Sequence, residues 1–431
     1  MPESVPTRDV YLVDGVRTPF LKSKNKPGPF SASDMAVSAG RQLLSRQPID
    51  SASFDEVIIG CVGASADEAN IGRIIALRLG FPVETPAWTV QRNCASGLQA
   101  LDSAFNSIQA GADLVLAGGC ETMSRAPLLF NNKMVNWFCQ LNGARDVMSK
   151  LKTFAQFRPA FLAPDLAIVK GLSDATVGMS MGQTAEELAY RFEIDRAAMD
   201  QFSARSHRRA LAAEEEHLFN DERVSAFSWD GQSFEFDDGV RSDSTPERLA
   251  KLRSVFDKFG NITAGNSSQI SDGACLCVLA SKEAVERYNL KPLAKLTAFQ
   301  WAALDPRVMG LGPVHAIAPL MDRFGLTFDD MAAVEINEAF AAQVIACQKA
   351  LNKPEYLKEW LGLERDLGQL DDEKLNINGG AIALGHPVGA SGARLALHIC
   401  RLLQKSDRSH AIASLCIGGG QGGAVLAEKV S

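Results

Sequence analysis

The tripeptide Ala-Ser-Gly occurs at 95–97 and again at 390–392, each time opening an amphipathic helical pattern. Leu98, Leu101, Phe105 and Ile108 form one apolar stripe within Gly97–Ala110. Leu395, Ile399 and Leu402 form another within Gly392–Gln404. A hydrophobic run ending in glycines follows each helix, LVLAGG in the first case and IASLCIGGG in the second. One element used twice, 295 residues apart, suggests a duplicated α/β unit, although one tripeptide and one pattern can also recur by coincidence. The rest of the pattern agrees. Short β-rich runs at Val10–Asp14, Val57–Cys61, Leu114–Gly118, Ala274–Leu279, Ala333–Ile336 and Ile412–Cys416 alternate with helical stretches.

Between the two units the character changes. Residues 121–261 carry more helix signals, scattered aromatics and polar loops. Asp195 is placed to N-cap a helix running through Met199 and Phe202. The stretch SWDGQSFEFDDGVRSDSTPER reads as a surface loop, and His207 and His217 read as solvated histidines on a charged helix. We read this region as an excursion from the first unit, to which strand 274–279 returns.

Composition excludes several classes. With 44 Lys and Arg against 51 Asp and Glu the chain is mildly acidic at −7, and it has no basic tract, so no nucleic-acid partner is expected. No segment reaches the ~18 uncharged apolar residues of a transmembrane helix. The first residues lack the apolar run of a secretory signal, and we expect a cytoplasmic protein. Nine cysteines, an odd count at irregular spacing, suggest neither a disulfide framework nor a metal site. Cys275 and Cys277 are expected as strand residues on opposite faces.

Four places carry chemical potential. Cys94 precedes an amphipathic helix, where amide groups and the helix dipole favour a thiolate nucleophile. His386 lies in the glycine-rich NINGGAIALGHPVGASGAR, ahead of a helix start, and is a candidate general base. Cys416 ends a strand and enters Gly418-Gly419-Gly420, whose free amides suit a developing oxyanion. Asn337 and Glu338 sit at a strand-to-helix junction, where Asn337 is either a cap or a holder of water.

Ten motifs in order extend the reading: VRTPF (16–20), NCASGLQA (93–100), GGCETMS (118–124), MGQTAE (181–186), FDKFGNITAGNSS (256–268), DGA (272–274), DPRVMGLGP (305–313), NEAFAAQ (337–343), the GHP segment (376–394) and CIGGGQGG (416–423). Over nearly its whole length the sequence resembles the thiolases, the acyl-CoA acyltransferases that include acetyl-CoA acetyltransferase and 3-ketoacyl-CoA thiolase. The resemblance implies two βαβαβαββ halves packed as a five-layered α/β/α/β/α core with an inserted loop domain. On it, 1–125 and 262–285 form the first half, 126–261 the insertion and 286–431 the second half. It implies Cys94 as the acylated nucleophile, His386 as base and Cys416 as the proton carrier at the α-carbon. Asn337 would hold a water that shares one oxyanion hole with His386. The amides of Cys94 and Gly418 would form the other. It also implies coenzyme A as a substrate with no tightly bound cofactor, Ser268 near the pantetheine, and Met181 and Met309 along the channel. Arg241 is implied as a CoA contact, and Lys251 is added to it on charge alone. Partners implied are acyl-CoA, a second copy in a homodimer or dimer of dimers, and a hydratase–dehydrogenase of β-oxidation.

Some features depart from the compact short-chain members. Ser180 stands where many of those carry histidine, and residues 134–168 are longer, as in thiolase subunits of trifunctional-type complexes. Those subunits often replace the asparagine of NEAF by histidine, yet Asn337 is kept. Chain length of the substrate stays open on this basis. Two competing readings are a ketoacyl-synthase-like condensing enzyme and a non-enzymatic acyl-CoA-binding protein of the same fold. Cys416 speaks against the first, and the presence of all three of Cys94, His386 and Cys416 against the second.

Overall fold

The computed structural model describes residues 8–24 and 26–430. The first half runs β1 (Val10–Arg17), α1 (Ala32–Ser45), β2 (Glu56–Gly60), α2 (Ile71–Arg78), β3 (Ala87–Val90), α3 (Ser96–Gln109) and β4 (Leu114–Thr122). An excursion follows, with α4 (Asn132–Gly143), α5 (Val147–Ala155), α6 (Met181–Arg191) and α7 (Arg196–Glu215), before β5 (Ser271–Ser281) returns to the sheet. The second half contains β6 (Ala294–Ala303), α8 (Gly312–Arg323), β7 (Met331–Ile336), α9 (Ala341–Leu351), α10 (Val388–Gln404), β8 (His410–Ile417) and β9 (Gln421–Glu428).

The nine strands lie in the order β7-β8-β9-β6-β1-β5-β4-β2-β3, and the two-residue strand Leu21–Lys22 pairs with β5. Within the sheet the halves join, among the described residues, through three residue pairs, Val10–Leu12 of β1 against Ala294–Leu296 of β6. Where the second half would repeat β3, a single bridge links Val334 to Leu375.

Side-chain alternation along the strands builds the layers. Val115, Ala117, Cys275, Cys277 and Leu279 face inward onto α3 and α10, as do Ala411, Ala413 and Leu415 from the other half. Leu114, Leu116, Leu276 and Val278 face outward onto α1 and α2. Ile412, Cys416 and Leu426 face outward onto α8 and α9. The result is five layers, with α3 and α10 as the shared middle layer. Cys275 and Cys277 therefore share one face, contrary to the expectation, because residues two apart on a strand point the same way.

Two further expectations fail in the excursion. Asp237, inside the stretch read as a surface loop, is buried and accepts two bonds from the Arg17 guanidinium at 2.7 and 2.9 Å. Arg17 also donates to Glu222 at 2.8 Å, and Glu222 pairs with His398 of α10 at 2.8 Å. This buried ionic chain pins the 222–237 segment to both halves. His207 is likewise buried, accepting the Arg241 amide at 3.2 Å on Nδ1, and burial pushes its pKa down to about 4. Asp195 does cap α7, accepting from Ala198 N at 2.7 Å.

The two Ala-Ser-Gly tripeptides meet. A Cβ on Gly97 would lie 2.6 Å from the Gly389 carbonyl, and one on Gly392 would lie 2.5 Å from Leu98 N. The glycines let α3 and α10 cross backbone to backbone. Gly392→Ala should therefore reverse the usual sign. In an exposed helix the change gains about 1 kcal/mol; here overpacking should cost about 1–3 kcal/mol. A urea midpoint below that of the parent, at equal slope, is the expected result.

Candidate active site

Cys94 lies in the turn between β3 and α3. Asn93 before it has φ 44°, a left-handed conformation that asparagine adopts more readily than most residues. Ser96 Oγ locks this turn, donating to Asn93 O at 2.7 Å and accepting from Arg92 N at 2.9 Å. Asn93 Nδ2 then donates to Gly418 O at 2.8 Å, which ties the turn to the loop after β8. In return the Gly418 amide points at the Cys94 sulfur. Gly419 and Gly420 follow at φ 91° and 75°, where only glycine is unstrained.

Burial pushes the Cys94 thiol pKa up, and the Gly418 amide and its own amide only partly oppose this. The expected lowering by the helix terminus is thus overcome, because desolvation penalises the thiolate more than the nearby amides favour it. Cys94 rests as a thiol and needs a base.

His386 precedes α10. Gly385, at φ 111°, makes the turn that places it. The ring is buried, with Nδ1 2.6 Å from Ser391 Oγ and Nε2 3.3 Å from Asn337 Nδ2. Ser391 gives its only hydroxyl proton to Pro387 O at 2.9 Å. Nδ1 must then carry the ring proton, which leaves Nε2 with its lone pair. Burial, aided by the Arg394 charge, pulls the His386 pKa down to about 4.

Cys416 ends β8, buried, and desolvation together with the Cys94 sulfur holds its thiol well above the ordinary range. Asn337 follows β7, held by its amide to Ser414 O at 2.9 Å. It caps nothing: α9 starts at Ala341 with Phe340 as its cap. Its Oδ1 is buried with no hydrogen-bond partner among the described residues. Glu338 instead gathers Ser206 Oγ (2.6 Å), Asn376 Nδ2 (3.1 Å) and Ile382 N (3.1 Å), fixing the loop that leads to His386.

Cys94 stands where two cavities meet. One, about 440 Å³, is lined by His386, Cys416, Ser268, Met181 and Met309 with Phe256, Phe340 and Lys22. The other, about 510 Å³, is lined by Asn93, Gly418, Glu121, Met123 and residues 167, 168 and 170–176 of the excursion. Eight of the ten residues expected at the site are therefore assembled: Asn337 touches His386, and the other seven line the cavities. Arg241 and Lys251 are not among them. Both are exposed and line neither cavity. Arg241 does lie near enough to Lys22 for its charge to help depress that lysine's pKa, after desolvation.

The comparisons with known proteins agree with this geometry. Residues 10–283 match the family described as thiolase, N-terminal domain, and 290–429 the thiolase C-terminal domain. The chain belongs to the thiolase family. A β-ketoadipyl-CoA thiolase of Acinetobacter baylyi is 39% identical, over 98% of this chain and all of its own length. The human mitochondrial 3-ketoacyl-CoA thiolase is 36% identical over 98% and 99% of the two chains. The crystal structure of that human enzyme in complex with CoA superposes at TM-score 0.84, with 35% identity and 98% of each chain covered. A Bacillus anthracis acetyl-CoA acetyltransferase gives 0.84 with 33% identity, covering 99% of this chain and 100% of that one. Thiolases are acyltransferases, and this chain carries that general activity.

Sequence reasoning on this thiolase missed Ser391, Glu121 and Lys22. Ser391 was in view as part of the second Ala-Ser-Gly, but its bond to His386 depends on the helix starting between them. A pH prediction follows. The base role requires His386 to be unprotonated, and its pKa lies below the ordinary 6.5, so protonation of His386 itself should leave kcat/KM untouched at pH 6 and lower it only towards pH 4. Ser391→Ala removes the acceptor that fixes the tautomer, and should lower kcat/KM on the order of tenfold without moving the KM for CoA.

Proposed function

We propose that this thiolase cleaves 3-ketoacyl-CoA with CoA to give acetyl-CoA and a shortened acyl-CoA. In reverse it condenses acetyl-CoA to acetoacetyl-CoA. The carrying observation is the position of Cys94 at the junction of the two cavities, with His386 and Cys416 on one side. His386 Nε2 takes the Cys94 proton as the thiolate attacks the 3-keto carbon. The oxyanion that forms faces the amides of Cys94 and Gly418. The bond between the α and β carbons breaks, and the acetyl-CoA enolate leaves. Its own oxyanion is met by His386 and by a water whose other hydrogen Asn337 Oδ1 accepts. Cys416 protonates the α-carbon and is restored by the proton held on His386. CoA then enters, gives its proton to His386, and its sulfur takes the acyl group from Cys94. The returning thiolate recovers the proton. Covalent catalysis of this form gives ping-pong kinetics.

The CoA arm is assigned to the cavity with Ser268, Met181 and Met309, and Lys22 in its lining, with the Arg241 charge near that lysine, supports phosphate binding there. The acyl chain is assigned to the other cavity, whose Val62, Met123, Pro127, Ile168 and Leu172 suit a hydrocarbon. That cavity abuts the paired strands 128–130 and 164–166, where Leu128, Phe130 and Leu166 are exposed, which supports longer chains and a role in β-oxidation. Lys170 at its wall supports a second reading, an acyl chain ending in a carboxylate. Our reading includes a cytoplasmic location, and the nine cysteines without a disulfide support a reducing compartment. It also includes a homodimer or dimer of dimers, supported by the open edge of β3. A hydratase–dehydrogenase partner is supported by the exposed apolar excursion.

The test compares CoA-dependent cleavage of acetoacetyl-CoA, a long-chain 3-ketoacyl-CoA and 3-ketoadipyl-CoA. Preference for the long chain supports the main reading; preference for 3-ketoadipyl-CoA replaces it by the second. Cys94→Ala should abolish acylation and turnover. Cys416→Ala should keep acyl exchange between Cys94 and CoA while carbon–carbon cleavage falls by roughly 10²-fold or more. Equal loss of both half-reactions would refute the role given to Cys416.

A further inference from the structure

We propose that Glu121 is a positioning residue of this site: its carboxylate fastens the cavity wall at Val62–Gly63 to the first turn of α10, and so sets His386 against Cys94. The inference rests on the acyl-Cys94 reading above and adds to it a residue that acts through the two segments it holds and takes no proton or acyl group itself.

Glu121 lies near the end of β4, 3% exposed, and lines the cavity that receives Cys94. Its Oε2 accepts the Val62 amide at 2.9 Å and its Oε1 the Gly63 amide at 3.0 Å. The Cys61 thiol reaches Oε1 at 3.9 Å. The Gly389 amide, in the first turn of α10, points at the same carboxyl. Four donors from two halves of the molecule thus converge on one side chain. Two glycines make the approach possible. A Cβ on Gly389 would stand 2.9 Å from Oε2, and one on Gly63 would stand 3.3 Å from Oε1.

His386 is three residues ahead of Gly389, and Val388 between them lines both cavities. A shift of the first turn of α10 therefore moves His386 as well, and the Cys94 turn faces it across the same space. Among the described residues no lysine, arginine or histidine hydrogen-bonds to Glu121. The titratable groups that face it are the thiols of Cys61, Cys94 and Cys120. With no counter-ion, burial raises its pKa to about 7 against the pull of the amides. Only the carboxylate can accept from all four donors, since the acid turns one oxygen into a donor. The clamp should accordingly tighten as pH rises through 7.

The test uses the full chain with acetoacetyl-CoA and CoA, comparing the parent with Glu121→Gln and Gly63→Ala. Glutamine places N–H against an amide N–H. The alanine crowds Oε1 from an exposed position and leaves the carboxyl in place, so it serves if the first variant fails to fold. The burst of Cys94 acylation counts competent sites, and turnover is expressed per acylated site from pH 5.5 to 8.5. We expect Glu121→Gln to lower kcat per acylated site on the order of 10- to 100-fold, with KM for CoA within about twofold. The kcat of the parent should rise through pH 7, and that rise should vanish in Glu121→Gln. Gly63→Ala should move kcat in the same direction by a smaller factor. Parental kcat per site and an unchanged pH profile in the variants that fold would overturn the proposal, as would a loss confined to the number of acylated sites. A parent that is never acylated at Cys94 would instead overturn the function on which the proposal rests.

Discussion

Helices α3 and α10 cross in backbone contact at Gly97 and Gly392. Everything in the site follows from that contact. Cys94 stands just before α3 and His386 just before α10, so the crossing brings a thiol from one half and an imidazole from the other to the same cavity. A methyl group at the crossing would push the helices apart and with them the two loops. Gly389 and Gly119 extend the close approach, since a Cβ on Gly119 would lie 2.0 Å from the Gly389 carbonyl. Small residues here act as a geometric reference for chemistry a few ångströms away, because a close-packed interior transmits displacement and does not absorb it.

Loop contacts then refine what the crossing sets. Asn93 holds the Gly418 carbonyl, the Gly418 amide faces Cys94, and Asn337 reaches His386 from a third strand. Each bond runs between the halves or between separate loops, so no single segment carries the site. Burial leaves Cys94 a thiol and His386 a neutral imidazole at pH 7. Such a pair is poised for proton transfer only when the thiolate is being consumed, and is protected from oxidation at rest, since the thiolate is the reactive species.

Much of this was legible in the sequence. The doubled Ala-Ser-Gly announced the duplication, and the glycine-rich loops around His386 and Cys416 marked where backbone must approach closely. Misreadings came where a local rule met a distant partner. His207 sits on a charged helix, yet the Arg241 amide arrives from 34 residues away to bury it. Asp237 lies in a polar stretch, yet Arg17 draws it into the interior. Cys94 lies near a helix terminus, yet the walls of two cavities desolvate it. Arg241 and Lys251 were chosen by likeness or by charge, and neither is carried to the cavity walls by the chain path.

Sequence by itself determined the α/β class and the candidate residues of the site, and its resemblance to the thiolases implied the layers. Periodicity, glycine placement and residue type are local properties, readable along one line. Only the tertiary structure decided protonation states, the His386 tautomer and the convergence of amides on Glu121. Those depend on burial and on donors that approach from other segments, and no local pattern encodes the distance between them.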